Sequence, residues 1–448
     1  MRFCRLLFFA LFLKVANSDV TSKTNYDQLN DDPLRQGMSM QDIKNKMIKI
    51  CTLLKLQSPQ VCDGVITINL PTILYIIDSK PNLTADTICG VLLESPFCPL
   101  NNNEFNWTVN IDDGPPKYIK PEESNETINI LQITDIHYDP NYEPYGNAYC
   151  NEPTCCRKGQ NDTNTSGKVA GYWGDYHYCD SPWHSVLDVL DHVIAEHQNI
   201  SYVYFTGDVI DHGIWETSIE ININHFCRWQ LYQPRDPDGQ LQWLADMLLQ
   251  AEMDREYVHI LAHLPPGNTD CQTTWKREYV KIVNRFAHII RAQFNGHTHK
   301  DELQLIYGSD DNSKISNVAW NGGSVTTYQN VNPNYKFYTI DSKNYEVKDF
   351  ENWIYNLTLA NINSDQRPLW YKSYSFKEEY ELSDLTYDSL QAWLFKLLND
   401  EKLLNRYYRN YFKQAEPSLT KECDAKCMRV FICDVIVNLG DHKIKCDN

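Results

Sequence analysis

Four short segments hold the residue types that could do chemistry. Each follows an apolar, β-type run: Thr134-Asp135-Ile136-His137, Gly207-Asp208-Val209-Ile210-Asp211-His212, Ala262-His263-Leu264-Pro265-Pro266-Gly267 and Gly296-His297-Thr298-His299. Carboxylate and imidazole together suit zinc and related divalent ions. The Asp-x-His spacing at a strand end predicts two side chains on one side, since alternate residues of a strand share a face. His297 and His299 repeat that spacing. One Asp can bridge two ions about 3.5–4 Å apart, and such a pair grips a phosphate, lowers the pKa of a bound water and steadies a leaving oxygen. Taken singly, Asp135 reads as a helix cap, His137 as a satisfied loop histidine and Gly207-Asp208 as a turn. Four pieces in order, each after a β run, read as one site. His177, His184, His192, His197, His259 and His288 have no such context and read as structural or surface residues.

The elements that must position these residues alternate in type over 129–345. β runs are predicted at Ile128–Thr134, Ile200–Thr206 and Tyr257–Ala262, with a strand end at Ala292–Asn295. Helices are predicted at Trp183–His197, Gly239–Met253 and Lys276–Arg291. This is an α/β sandwich pattern, and open α/β sheets place ligands at strand C-termini. Upstream, 41–98 reads as a compact, Cys-bounded helical block and 99–128 as a Pro-rich linker. Downstream, 346–448 turns helical and ends in a small cysteine cluster. The helical block can hold lipid between its helices or simply pack.

The chain has 448 residues, which suggests two or three domains. Residues 1–18 read as a secretory signal peptide, with Arg2 and Arg5, a short apolar run and a small-residue cleavage site. No later stretch reads as a membrane span, so the mature chain is expected to be soluble. Fifteen cysteines, one of them (Cys4) in the leader, imply disulfides in an oxidising compartment. Sequons at Asn82, Asn106, Asn125, Asn161, Asn164, Asn199 and Asn356 point to the same compartment. The balance of 41 basic against 59 acidic residues gives −18, which disfavours general nucleic-acid binding.

The ordered set LQITDIH, FTGDVIDH, HILAHLPPG and FNGHTH resembles a calcineurin-like metallophosphoesterase. With the helical block before it, the chain resembles the acid sphingomyelinase family over about residues 43–446. Further support lies in Ile50-Cys51-Thr52-Leu53-Leu54 through Val61-Cys62, Cys155-Cys156-Arg157, Gly171-Tyr172-Trp173-Gly174, Asp238 through Leu244, and Thr326-Thr327-Tyr328. The resemblance implies a metallophosphoesterase β-sandwich flanked by helices, a small saposin-like domain before it at 41–98 and a helical C-terminal domain after it. It implies hydrolysis of sphingomyelin, in membranes or lipoproteins, to ceramide and phosphocholine. It also implies two Zn2+ ions, peripheral membrane contact through the saposin-like domain, a monomer, and secreted or lysosomal residence. Asp135, His137 and His299 would bind one zinc, Asp208 would bridge, and His263 and His297 would bind the other. His212 would sit near the phosphate, steadying the transition state or protonating the leaving oxygen. The implied disulfides are Cys51–Cys62, Cys150–Cys155, Cys156–Cys179, Cys227–Cys271, Cys423–Cys427 and Cys433–Cys446.

Two departures from the family pattern matter. The family's Gly-Asn-His motif, whose Asn binds the second metal, is absent. After His212-Gly213-Ile214-Trp215 the chain runs within a few residues into Ile221 through Cys227, a segment resembling the strand well beyond that motif. An internal stretch near 215–221 is therefore expected to be missing, leaving Asp208, His263 and His297 for the second ion and an incomplete sheet. Asn224-His225 is no substitute, because Phe226-Cys227 fixes that segment's place. The opening C-x-x-C of the saposin-like block is also absent, which leaves the pairing of Cys89 and Cys98 open. Two rival readings follow. One keeps the metals but takes a nucleotide-type phosphodiester; the other is a catalytically dead lipid-binding secreted protein.

Overall fold

The computed structural model describes residues 39–437, apart from 81, 94–98, 121, 123, 161–168, 217–230, 269, 309–313, 422 and 434. The expected signal peptide therefore lies outside the described residues, as do Cys98, Cys227, Cys446, Asn161 and Asn164. The chain forms two compact units. One comprises 1–109 and 213–240, the other 110–212 and 241–448.

The first unit is helical among its described residues. Ser39 caps the helix Met40–Leu53 by accepting the Asp42 N–H, and Ser58 caps Pro59–Ser79 through Val61 N–H. Pro59 sits at the start of its helix, where its missing N–H costs nothing. Apolar positions one turn apart then face each other. Ile43, Met47 and Cys51 meet Val61, Cys62, Val65, Ile66 and Leu70, and Trp215 closes the cluster. A disulfide joins Cys51 to Cys62. Gly64 permits the approach of Trp215: a Cβ there would lie 2.3 Å from the Trp215 carbonyl oxygen. A third helix, Ala85–Leu93, contributes Val91 to a second cluster with Ile76, Phe105 and Leu231. Contrary to the sequence expectation, Pro59–Ser79 is long and apolar enough to cross a membrane by length and composition. Its buried residues are those that fill the helical core.

The second unit holds two five-stranded sheets. Strands β1 (Thr127–Ile133), β2 (Tyr202–Phe205), β7 (Asn334–Asp341), β8 (Val347–Ile354) and β9 (Tyr371–Ser375) form the first, in the order β2-β1-β7-β8-β9. Strands β3 (Val258–Leu261), β4 (Ile290–Asn295), β5 (Leu303–Tyr307), β6 (Ile315–Asn321) and β10 (Ile436–Val437) form the second, in the order β10-β5-β6-β4-β3. β1 pairs with β2 in parallel and with β7 antiparallel; β4 runs parallel to both β3 and β6. A polar seam joins the sheets. The Gln132 amide in β1 donates to Thr206 Oγ1 and to the Asn295 carbonyl, and accepts from the Tyr338 hydroxyl. Around the seam, Ile130, Phe294, Trp320, Tyr338 and Phe350 form the core with Trp393 and Tyr407, on helices Tyr387–Asn399 and Glu401–Tyr411.

Two secondary-structure expectations need correction. The predicted helix Lys276–Arg291 is Thr273–Arg285, and Ile290 already begins β4. Ile289 N–H bonds back to the Phe286 carbonyl, so the apolar run that looked helical is a tight turn entering a buried strand. The C-terminal region turns helical later than expected, because β8 and β9 occupy 347–354 and 371–375. In β8 alternate residues are buried, and charged Asp349 and Glu351 on the opposite face hide that period in the sequence.

Among the described residues β2 and β3 each end their sheet, and Tyr202, Val203, Phe205 and Leu261 are exposed on them.

Four disulfide pairs implied by the resemblance are joined: Cys51–Cys62, Cys150–Cys155, Cys156–Cys179 and Cys423–Cys427. Cys89 and Cys433 are disulfide-bonded as well. The implied partners of Cys271 and Cys433, Cys227 and Cys446, lie outside the described residues. Asn82, Asn106, Asn125 and Asn199 are exposed, whereas Asn356 is half-buried and caps the helix Leu357–Ile362.

A buried ion pair anchors the loop after β4. Lys336 Nζ lies 2.7 Å from Asp301 Oδ1, and Asp301 Oδ2 accepts from Asn352 and the Tyr374 hydroxyl. Both ends of the pair are shielded from water. Lys336→Met should therefore cost about 3–5 kcal/mol, because it leaves a buried carboxylate without its cation. Adding Asp301→Asn should recover part of that loss. Urea unfolding checks both; a double variant less stable than Lys336→Met would contradict the charge-based account.

Candidate metal centre

All six candidate ligands lie in the second unit, on loops that leave the C-terminal ends of β1, β2, β3 and β4. The reason for their convergence differs from the sequence argument. β1 ends at Ile133 and β4 at Asn295, so neither Asp-x-His nor His-x-His lies within a strand. Asp135, His137, Asp208, His297 and His299 all have φ between 44° and 75°. Left-handed backbone, not strand alternation, turns these side chains to a common point. Non-glycine residues adopt it at a cost, and such residues cluster at functional sites. Two glycines make room. A Cβ on Gly207 would lie 2.8 Å from His263 Nδ1, and one on Gly296 would lie 2.2 Å from Asp135 Oδ2.

Asp135 is wholly buried. Its two oxygens accept the His297 backbone N–H at 2.8 and 2.9 Å, and Oδ2 accepts the Thr134 hydroxyl at 2.6 Å. Oδ1 lies 3.3 Å from His299 Nε2 and 3.8 Å from His137 Nε2. Asp208 Oδ2 stands between two imidazoles, 3.4 Å from His137 Nε2 and 3.1 Å from His263 Nε2. Three sets of donor atoms each lie within 4.8 Å of one another: Asp135, His137 and Asp208; Asp208, His263 and His297; His137, His212 and His299. The first two share Asp208.

The ring nitrogens are sorted for this arrangement. His137 Nδ1 faces the Ile210 carbonyl at 2.7 Å, His263 Nδ1 the Thr206 carbonyl at 2.8 Å and His299 Nδ1 the Tyr328 carbonyl at 3.4 Å. Each carbonyl holds a proton on Nδ1 and leaves Nε2 with its lone pair toward the carboxylates. His137 Nε2 and His299 Nε2 face each other at 3.2 Å. Two imidazole lone pairs and two carboxylates aimed at one space fit a divalent cation.

Electrostatics agree with that fit. Burial would push the Asp135 carboxyl up, but His137 and His299 outweigh it and hold it well below the usual carboxylate range. Burial likewise opposes ionisation of Asp208, yet His263 and His137 hold its carboxyl far down. Burial pulls His137 down, while Asp135, Asp180 and Asp208 push it up to about 9. His299 falls to about 4, mostly through burial. The carboxylates thus favour positive charge at this point, which a divalent cation would supply.

His212 lies beside this cluster. Its ring stacks between His137, at a centroid distance of 4.0 Å, and Tyr328, at 3.8 Å. Asp180 accepts its backbone N–H and approaches its Nδ1, both at 2.7 Å. Asp180 follows Cys179, which the disulfide to Cys156 fixes. Arg157, next along from Cys156, pairs with Asp139 at 3.0 Å. Sequence reasoning did not single out Asp180, Tyr328 or Asp270 as site residues, although Asp270 Oδ2 lies 3.1 Å from His297 Nε2. The usable signals were indirect: Cys179 stands next to Asp180, Cys271 next to Asp270, and Tyr328 ends the Thr326-Thr327-Tyr328 segment that supports the resemblance. His177, His184, His192, His197, His259 and His288 join none of the donor sets.

Known proteins resemble this chain in sequence. A calcineurin-like phosphoesterase family model matches residues 128–234, and the acid sphingomyelin phosphodiesterase C-terminal region matches 313–446. Sphingomyelin phosphodiesterase 1 of Caenorhabditis elegans is 27% identical over 497 residues, covering 88% of this chain and 86% of that protein. The Homo sapiens sphingomyelin phosphodiesterase is 26% identical, covering 92% of this chain and 80% of that protein. The Homo sapiens cyclic GMP-AMP phosphodiesterase SMPDL3A is 31% identical over about half of each chain (50% and 51%). The worm alignment is longer than the 448 residues of this chain, so that relative carries segments this chain lacks. Both family models in order, around a cluster of Asp and His where the strands end, make this chain an acid sphingomyelinase-like member of the metallophosphoesterase hydrolases.

Proposed function

We propose that this chain hydrolyses sphingomyelin to ceramide and phosphocholine with two zinc ions. The observation that carries the reading is Asp208 shared between two donor sets, in a chain whose relatives are named for sphingomyelin. Asp135, His137 and His299 would hold one ion and His263 and His297 the other, with Asp208 between. When bound, the two ions would supply the charge that activates water and offsets the phosphate.

The protein's own groups do the rest. Ile210, Thr206 and Tyr328 carbonyls fix the ligand imidazoles as Nε2 donors. Asp180 fixes His212 by two contacts and leaves its Nε2 to hold or deliver a proton. Burial lowers the His212 pKa despite Asp180, so the imidazole gives up a proton readily to a leaving alkoxide. Asp208, His263 and His297 are more exposed than Asp135, His137 and His299, which supports substrate entry from that side. The helical block from Met40 to Leu93 is read as a saposin-like domain that presents lipid and touches membranes. Its Cys51–Cys62 disulfide, and those of the second unit, suit a secreted or lysosomal protein. A monomer is the expected form. A nucleotide-type phosphodiester is the second reading, favoured by the 31% identity to the cyclic GMP-AMP phosphodiesterase.

Four measurements test this. Purified chain should release phosphocholine from sphingomyelin vesicles, lose activity with a chelator and regain it with zinc; faster turnover of a soluble phosphodiester would replace the lipid reading. His212→Ala should lower kcat by about 10²–10⁴-fold while retaining zinc; loss of the metal instead would make His212 a ligand. Asp208→Asn should release at least one zinc equivalent on dialysis, read by elemental analysis. Zinc affinity should also weaken from pH 7.5 to 5.5, since proton and metal compete for the imidazoles.

A further inference from the structure

Among the ligand histidines, His297 is held differently. The other three face backbone carbonyls through Nδ1. His297 presents Nε2 to a carboxylate, with Asp270 Oδ2 at 3.1 Å. Its backbone N–H is already bound to Asp135, so both ends of the residue are fixed by carboxylates.

Asp270 is well placed to do this. It follows the Pro265-Pro266-Gly267 turn, which carries on from His263. Asn268 N–H bonds to the Pro265 carbonyl, Asn268 Oδ1 accepts the Asp270 N–H at 2.7 Å, and Cys271 N–H returns to the Asn268 carbonyl. Gly267 is tied to Gln304 of β5 and to Lys276. The segment that supplies His263 therefore also supplies the group that orients His297.

We infer that Asp270 is a positioning residue for the second metal site: its carboxylate takes the His297 Nε2 proton and leaves Nδ1 as the metal-facing nitrogen. The inference rests on the two-metal reading above. A carboxylate makes the opposite nitrogen a stronger donor than a carbonyl does. That matters most at this ion, which has Asp208, His263 and His297 but lacks the Asn expected from the family pattern. Asp270 strengthens a ligand that is present where another is missing.

The test is metal affinity, by competition with a chromophoric chelator on the full chain, for zinc and for cobalt. The parent should hold two equivalents. Asp270→Ala should weaken one of them by about 10–100-fold and leave the other unchanged. The isosteric Asp270→Asn should fall between, since its amide oxygen still accepts the proton but carries no charge. The visible cobalt absorption of the weakened site should shift in both variants, which a purely structural role would not produce. Parent-like binding of both equivalents by Asp270→Ala would overturn this inference alone, as would equal weakening of both equivalents in Asp270→Asn. A parent that binds no divalent cation would overturn the two-metal reading and this inference with it.

Discussion

A buried carboxylate governs this fold. Asp135 has no access to water, and an ionised carboxylate in that position is tolerated only when fully paired. Its partners come from opposite parts of the chain: Thr134 beside it, the His297 backbone N–H, and the imidazoles of His137 and His299. Satisfying it brings the end of β1 to the end of β4, so the two sheets must meet at that edge. Gly296 is required there, because any side chain would occupy the space of the Asp135 oxygens. The Gln132 seam, two residues before Thr134, continues the same demand inward through Thr206, Asn295 and Tyr338.

From that constraint follows an asymmetric site. The Asp135, His137 and His299 side chains are 0–5% exposed, whereas Asp208 is 40% and His263 20% exposed. The Asp135, His137 and His299 side of the cluster is thus enclosed by protein, and the Asp208 and His263 side opens outward. The open side includes Asp208, on the loop that follows β2.

Much of the site was legible because metal ligands leave a chemical trace. Four Asp and His motifs, each closing a β run, named the six residues that the fold brings together. The reason offered for their alignment was incomplete. Asp135, His137, His297 and His299 converge through left-handed turns, and φ is not written in an Asp-x-His spacing. β8 was missed for a related reason: the region from 346 on was expected to turn helical, and the alternation in β8 shows only once its strand partners are in place. The buried Lys336–Asp301 pair was illegible altogether, since nothing local marks a lysine as buried.

The sequence by itself determined which groups could meet a metal, in what order along the chain, and which familiar motif is absent. It could do so because ligand chemistry belongs to residue type and motif order to the chain. Tertiary structure alone decided which imidazole nitrogen faces the cluster, which side of it is closed, and that Asp180 and Asp270 contact His212 and His297. Those partners lie 32 and 27 residues from the groups they contact. A contact across that separation is fixed by how the sheets twist and the loops close, and no local spacing encodes it.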